Sequence, residues 1–278
     1  MELSIVILTY KSKGLLKQCL RHIERLRLRD QYEVIVVDND SRDGVEALVE
    51  EQFRNVRFIQ SGANRGYGAG MNIGLRAATG RYRLILNPDI AILSNELERM
   101  LGYLKQHPDV GILGPKLVNP DSSLQHTCYT FPNFLTPFYR RSFLGRLPGG
   151  KQKLEQYLMS WWDHGSNREI DWLLGACLLV PSAAFEKVGL FDERFFMYFE
   201  DVDLCRRMWA QGYKVVYFAD AEIVHYHQRI SAETSWIFGF FNRVTREHIK
   251  SWLKYFAKYA GAPLPRRQQS SDSSVTSP

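Results

Sequence analysis

SIVILTYKSKGLLKQCLRHIERL, residues Ser4 to Leu26, decides how the rest of the chain is read. Ser4–Thr9 is an apolar run of strand length. Behind it Leu15, Leu16, Cys19, Leu20, Ile23 and Leu26 recur at helical spacing, while Lys17, Arg21, Arg25 and Arg29 fall mostly off that stripe. The alternation repeats. Glu33–Val37, Val56–Ile59 and Tyr82–Leu86 read as strands; Ala47, Leu48 and Phe53 mark a second helix, and Met71–Ala78 a third. Strands alternating with amphipathic helices predict an α/β domain around a mostly parallel sheet.

Ligands of open parallel sheets bind outside the carboxyl ends of the strands. Those ends here are Thr9-Tyr10, Asp38-Asn39-Asp40-Ser41, Gly62–Tyr67 and Asn87-Pro88-Asp89. Each is polar, and two carry acids. Further on, Leu97, Met100, Leu101 and Leu104 continue a helix and Val110–Leu113 a strand, after which periodicity fades from Asn119 to Asn167 and an irregular region is expected. The pattern returns at Trp172–Val180, passes through Ser182–Val188, and reaches Val215–Phe218 and Glu222–His227. Trp236–Tyr259 reads as a last helix, and the Pro-, Arg-, Gln- and Ser-rich stretch from Pro263 reads as a disordered tail.

The 278 residues suffice for one large domain with an appendage, and 45% apolar with 24% charged residues is ordinary for a globular protein. Cys19, Cys128, Cys177 and Cys205 form no metal spacing and read as reduced thiols, which points to the cytosol. No signal peptide is expected at the amino terminus. The longest apolar segment, Trp172–Pro181, is about half of what a membrane span needs. A net charge of +6 fits nucleic acid, an anionic membrane or a phosphorylated small molecule, and does not choose among them.

The chemistry concentrates in FDERFFMYFEDVDLCRR, Phe191 to Arg207. Carboxylates beside aromatic rings lose hydration, so Glu200, Asp201 and Asp203 need a cation, a hydrogen bond or a proton. Asp201 also reads as a helix cap, and Asp203 as a partner of Arg207 one turn on. With Asp38, Asp40 and Asp89 at neighbouring strand ends, several acids share one mouth. Such a mouth points to a hard divalent cation, Mg²⁺ or Mn²⁺, and to a diphosphate substrate. Asp89 has a plainer reading as a turn residue after Pro88. Asn64–Leu75, NRGYGAGMNIGL, matches neither G-x-G-x-x-G nor a P-loop, which argues against dehydrogenases and P-loop enzymes. Its glycines serve either close approach to a ligand or tight packing. His225 and His227 alternate on a strand, so one faces a given side as ligand or as structural residue. No nucleophile elbow accompanies them. The aromatic and basic residues of Trp236–Tyr259 fit either a helix on an anionic membrane or one packed on the core.

Taken in order, SIVILTY, VVDNDS (Val36–Ser41), NRGYGAGMNIGL, LNPD ending at Asp89, GAC at Gly175 and GLFDERFFMYFEDVDLCRR resemble glycosyltransferase family 2 over about residues 3 to 230. The wording around LNPD and FFMYFEDVDLCRR is similar to bacterial rhamnosyltransferases of surface polysaccharide synthesis. The resemblance implies a GT-A fold in residues 1–230, with a nucleotide-sugar half at about 1–115 and an acceptor half at about 116–230. A basic aromatic helical extension, 231–262, and the tail, 263–278, follow. Thr9, Tyr10, Asp38 and Asn39 would hold the nucleotide, with Asp40, Asn64, Arg65, Gly66, Asn72 and Asn87 also on the donor side. Asn87-Pro88-Asp89 departs from the family's commoner D-x-D, which leaves Asp89 as the main protein ligand of Mg²⁺ or Mn²⁺, with His225 beside it. Glu200-Asp201 falls on the family's acidic pair, and Asp201 is the implied base. Implied partners are a nucleotide-sugar donor, dTDP-rhamnose first, and a lipid-linked or glycan acceptor at the cytosolic membrane face. Peripheral contact is expected through residues 236–259, and no nucleic acid is expected.

The implied reaction inverts configuration, with Asp201 taking the acceptor proton during direct displacement of the nucleoside diphosphate. A donor sugar other than rhamnose is an alternative. A nucleotidyltransferase would need a basic glycine-rich loop near the amino terminus, where residues 1–14 hold only Gly14. A non-catalytic membrane or glycan binder is the third reading.

Overall fold

The protein, as a computed structural model, is described over residues 1–26, 28–29, 31–226 and 243–265. The opening stretch forms β1 (Leu3–Thr9), buried at every position, and α1 (Lys13–Arg25), which turns Leu16, Cys19, Leu20 and Ile23 inward. The unit recurs as β2 (Tyr32–Asp38), α2 (Val45–Gln52), β3 (Val56–Gln60), α3 (Tyr67–Ala77) and β4 (Tyr82–Leu86). β1 pairs in parallel with β2 and β4, and β2 with β3. Thr9 lies opposite Asp38, and Asp38 opposite Gln60, so the polar strand ends line up along one edge.

The second half runs through β5 (Ile90–Ala91), α4 (Glu96–Gln106), β6 (Val110–Val118), β7 (Cys128–Tyr129), α5 (Thr136–Arg141) and α6 (Pro148–Leu158). It continues with β8 (Arg168–Glu169), β9 (Trp172–Leu173), β10 (Cys177–Pro181), α7 (Ser182–Val188), α8 (Glu200–Ala210), β11 (Lys214–His225) and α9 (Arg243–Lys258). Nine strands form the main sheet in the order β3-β2-β1-β4-β10-β6-β11-β5, with β8 also on β11. β10 is antiparallel to both β4 and β6, and β6 is parallel to β11; β1–β4, β6 and β11 therefore point one way. That is the mostly parallel α/β sheet expected.

Strand alternation feeds two cores. Leu3, Ile5 and Ile7 of β1 join Leu16, Leu48 and Leu97 on one face; Val6 and Leu8 join Met71, Leu75 and Val202 on the other.

Three expectations need correction. The stretch from Asn119 to Asn167 is not irregular throughout, for it holds α5, a 3₁₀ turn at Phe143–Arg146 and α6. These pieces are short and pack through glycine: a Cβ on Gly145 would stand 2.0 Å from the carbonyl oxygen of Tyr139. Trp172–Val180 is not one run either. Its chain leaves β9, gives the Leu174 N–H to the carbonyl of Thr127 at 2.8 Å, and enters the main sheet only at Cys177. Val215–Phe218 and Glu222–His225 are conversely one strand, with a register shift between Phe218 and Glu222.

His227, Trp236 to Asn242 and residues 266–278, including most of the expected tail, lie outside the described residues. Of the two readings of the last helix, core packing holds for α9: Ser251 and Tyr255 are buried, and Lys258 Nζ lies 2.5 Å from Asp203 Oδ1. Among the described residues no helix is long and apolar enough to cross a membrane.

Candidate active site

Where β4 ends, the chain turns through Asn87-Pro88-Asp89 and is pinned from two sides. Asn87 N–H donates to the carbonyl of Ala176 at 2.8 Å, and Tyr226 N–H donates to the carbonyl of Asp89 at 2.8 Å. His225, the last residue of β11, pairs with Ile90 and so comes beside Asp89. Its Nε2 lies 3.4 Å from Asp89 Oδ1, a buried oxygen that makes no hydrogen bond among the described residues.

The histidine tautomer follows from Gln125. The Nε2 of Gln125 donates to Asn119 Oδ1 (2.7 Å) and to the carbonyl of His225 (2.9 Å), which leaves Oε1 to accept from His225 Nδ1 at 2.8 Å. An imidazole donating from Nδ1 presents an acceptor at Nε2. Two acceptors then face each other across 3.4 Å, an arrangement relieved by a cation or a proton. Among the described residues no three His, Cys, Asp or Glu gather as a metal cluster. Asp89 and His225 nonetheless fit a divalent ion that draws its other ligands from phosphate and water, as Mg²⁺ commonly does.

The acidic pair opens α8. Tyr198 and Phe199 precede it with φ of 68° each, left-handed conformations that a non-glycine residue adopts at a cost of about 1–3 kcal/mol, and such strain gathers at functional sites. The turn delivers Glu200 and Asp201 to positions where both are buried. Asp201 Oδ2 accepts from Gly175 N–H at 3.1 Å and Oδ1 from Val202 N–H at 2.8 Å. Burial pushes the Asp201 carboxyl above the usual range, and those N–H bonds hold it back. Glu200 goes well above its ordinary range, because of burial first and the Asp201 charge second, and its Oε2 makes no hydrogen bond among the described residues. The environments therefore separate the pair: the proton belongs on Glu200 and the charge on Asp201.

Tyr67, which sequence reasoning missed, ties these parts together. Its hydroxyl lies 2.5 Å from the carbonyl of Gly175 and 3.1 Å from Asn87 Oδ1, so it spans the strand-end motif and the residue whose N–H holds Asp201. Burial raises its pKa first, and the neighbouring carboxyls of Glu200, Asp201 and Asp89 raise it further, which keeps the hydroxyl a donor. The glycine before it explains the loop. Gly66 has φ of 86°, and a Cβ there would stand 2.2 Å from the carbonyl oxygen of Phe196, the atom that accepts Tyr67 N–H. At Gly66 the packing reading holds.

The remaining donor-side candidates separate by how they are engaged. Thr9 is buried with its hydroxyl 2.9 Å from Ser12 Oγ, and Tyr10 is exposed. Asp38 accepts from Ser41 N–H at 3.1 Å, while Asp40, at φ of 64°, pairs with Arg42 at 3.0 Å. Asn39 spends both ends on the neighbouring loop, accepting from Arg65 N–H and donating to Asn64 Oδ1 and the carbonyl of Gly66. Arg65 itself is exposed. Asn72 is the residue not brought to the mouth: it is buried within α3 and bonded at both ends to Phe191, with Glu193 as a third partner. Asp203 is structural, held by Arg207 at 2.8 Å and by Lys258 and Tyr259 of the last helix region. Tyr67 had one sequence signal, an aromatic set between the glycines of a helix start; Gln125 had none.

A mostly parallel sheet, with a buried acid pair tied through Gly175 and Tyr67 to the strand-end turn Asn87-Pro88-Asp89, is that of a GT-A type of protein. The chain belongs to glycosyltransferase family 2: residues 4–153 match the family described as Glycosyl transferase family 2, and residues 154–267 the related Glycosyl transferase family group 2. It is 31% identical over 243 residues to N-acetylglucosaminyl-diphospho-decaprenol L-rhamnosyltransferase of Mycobacterium tuberculosis, covering 81% of this chain and 76% of that one. It is 27% identical to rhamnosyltransferase WbbL of Escherichia coli, over 91% and 92% of the two chains. Among solved structures, the mannosyltransferase PcManGT of Pyrobaculum calidifontis, in complex with GDP-Man and Mn²⁺, superposes with a TM-score of 0.61 at 18% identity. That match covers 95% of this chain and 66% of the archaeal one, so the chain spans about two thirds of the solved structure.

Proposed function

We propose that the protein is an inverting, metal-assisted glycosyltransferase that moves a sugar, L-rhamnose from dTDP-rhamnose in the first instance, to a hydroxyl of a lipid-linked acceptor at the cytosolic membrane face. The observation that carries the reading is the buried acid pair, in which Asp201 is oriented by two N–H groups while Glu200 Oε2 makes no hydrogen bond among the described residues. The sugar and acceptor classes are supported by the two rhamnosyltransferase relatives, one of which is named for a diphospho-decaprenol substrate. Asp201 takes the proton of the acceptor hydroxyl as its oxygen bonds to the anomeric carbon; the bond to the diphosphate breaks, and its electron pair leaves with the nucleoside diphosphate. A base so placed contributes about 10²- to 10⁴-fold. Asp89 and His225 would hold Mg²⁺ or Mn²⁺, which when bound supplies charge to stabilise the leaving diphosphate. Thr9, Tyr10 and Asp38 would line the nucleotide, and exposed Arg65 would meet its phosphates.

Asp201→Asn tests the assignment. Turnover of dTDP-rhamnose should disappear while protection of the protein by donor against thermal unfolding persists, since bound ligand stabilises by RT ln(1 + [L]/Kd). Undiminished turnover in the variant defeats Asp201 as base.

A further inference from the structure

We propose that the protein seats itself on an anionic lipid surface through a face built jointly by the 134–147 segment and α9, the first supplying apolar side chains that enter the interface and both supplying cations. The proposal names the surroundings of the acceptor, and rests on the reading of that acceptor as lipid-linked.

The segment has an unusual charge pattern, with no acidic residue between Asp121 and Glu155. Its apolar side chains are not all gathered into the core. Phe134 and Phe138 meet Trp252 of α9, with ring centroids 4.3 and 5.9 Å away, yet stay 48% and 44% exposed. The turn that follows leaves Phe143 71% and Leu147 49% exposed, and α9 adds Leu253 at 51%. The same stretches of chain and the start of α6 carry the exposed cations Arg146, Lys151, Arg243 and Arg246, of which Lys151 pairs with Glu155 at 3.8 Å. Glu247 is the sole acid of α9, and Lys250 lies 2.8 Å from it. Isolated exposed apolar residues are normal on a protein surface, but apolar residues adjoining cations with almost no acid match the chemistry of an anionic bilayer surface.

Position supports the same conclusion. The inner side of α9 is latched to the protein: Ser251 Oγ donates to the carbonyl of Met197 at 2.8 Å, and Lys258 meets Asp203. His248 stacks on Tyr198, two residues ahead of Glu200, with ring centroids 4.5 Å apart. The face is thus held rigidly beside the loop that delivers the base, where an acceptor hydroxyl anchored in lipid would have to arrive.

Co-sedimentation of the full chain with vesicles tests the idea, using phosphatidylcholine alone and phosphatidylcholine mixed with phosphatidylglycerol. Wild type should bind the mixed vesicles and release them as salt rises. Arg146→Glu/Arg246→Glu should weaken binding at least about 25-fold, taking about five-fold for each cation. Phe143→Glu/Leu147→Glu, at exposed positions that leave the core intact, should also abolish it. Binding by either variant at the wild-type level, or wild-type binding that ignores phosphatidylglycerol, overturns the proposal. So does a Phe143→Glu/Leu147→Glu variant that turns an oligomer into a monomer while wild type ignores vesicles, for the face is then a contact between copies. Donor protection against unfolding, measured on the same variants in solution, separates the two readings: it stays intact if only the docking idea fails, and is missing even in wild type if the transferase reading fails.

Discussion

Tyr67→Phe removes one oxygen and leaves the ring in place, which makes it the sharpest probe of how the two halves of the site are joined. The lost hydroxyl lies 2.5 Å from the carbonyl of Gly175 and 3.1 Å from Asn87 Oδ1, and its single proton serves one of them at a time. Gly175 is buried, so the variant strands an acceptor there at a cost of about 1–3 kcal/mol. For a chain of this size that corresponds to a fall in Tm of about 2–4 °C for each kcal/mol. The catalytic effect arises one bond further on. Gly175 N–H holds Asp201 Oδ2 at 3.1 Å, and a base displaced by about 1 Å loses on the order of 10²-fold in rate. The expected outcome is a kcat lowered by about 10- to 10²-fold with the donor KM little changed, since the ring still fills its place against Phe191. Steady-state kinetics beside thermal unfolding decide the matter. A variant that melts lower yet turns over at the wild-type rate would refute the link between Tyr67 and the proposed base.

Three further outcomes follow from the same geometry. Asp89→Ala should make donor binding indifferent to Mg²⁺ in titration calorimetry; isotherms with and without the ion that still differ as in wild type would dismiss Asp89 as a ligand. Glu200 has a folded pKa raised by burial and by Asp201, so its contribution to stability is present below its ordinary pKa of 4.5 and is lost as pH rises through the raised value. Glu200→Gln should therefore gain on wild type in Tm as pH rises above the ordinary carboxyl range, and a constant difference would count against the buried proton. Asp203→Ala should cost about 3–5 kcal/mol, because it leaves Arg207 and Lys258 without the fully buried carboxylate that pairs them; a melting temperature within error of wild type would show that α9 is not latched there.

The first half of the fold was legible because β1 to β4 are uninterrupted apolar runs separated by amphipathic helices, and the parallel order then placed Thr9, Asp38 and Asp89 on one edge. The acid pair was legible for a different reason: carboxylates embedded among aromatics demand compensation wherever the chain puts them. What escaped was set by long-range contacts. Tyr67 meets Gly175 across 108 positions and Gln125 meets His225 across 100, and neither pairing leaves a local pattern. The break in Trp172–Val180 was hidden because both of its parts are apolar, and only the carbonyls of Thr127 and Ala176 reveal that the chain leaves one sheet for another. α5 and α6 escaped periodicity because α5 is six residues long with Pro137 in its first turn, and α6 opens on Pro148-Gly149-Gly150 and has few apolar positions.

The two aspartates of α8 show how the proposed chemistry and attachment are divided over two residues. Asp201 faces Gly175 and carries the charge; Asp203, two positions on, is turned into the protein and bound by Lys258 and Tyr259. Both depend on the left-handed turn at Tyr198-Phe199, whose rings α9 covers with His248 and Tyr255. A strained turn persists only where its surroundings over-determine it, and here α9 supplies part of that constraint. The helix that closes the described structure is therefore a support of the proposed base as well as an outer surface, and loosening it would reach Asp201 through Phe199 before it reached any residue of the proposed donor side.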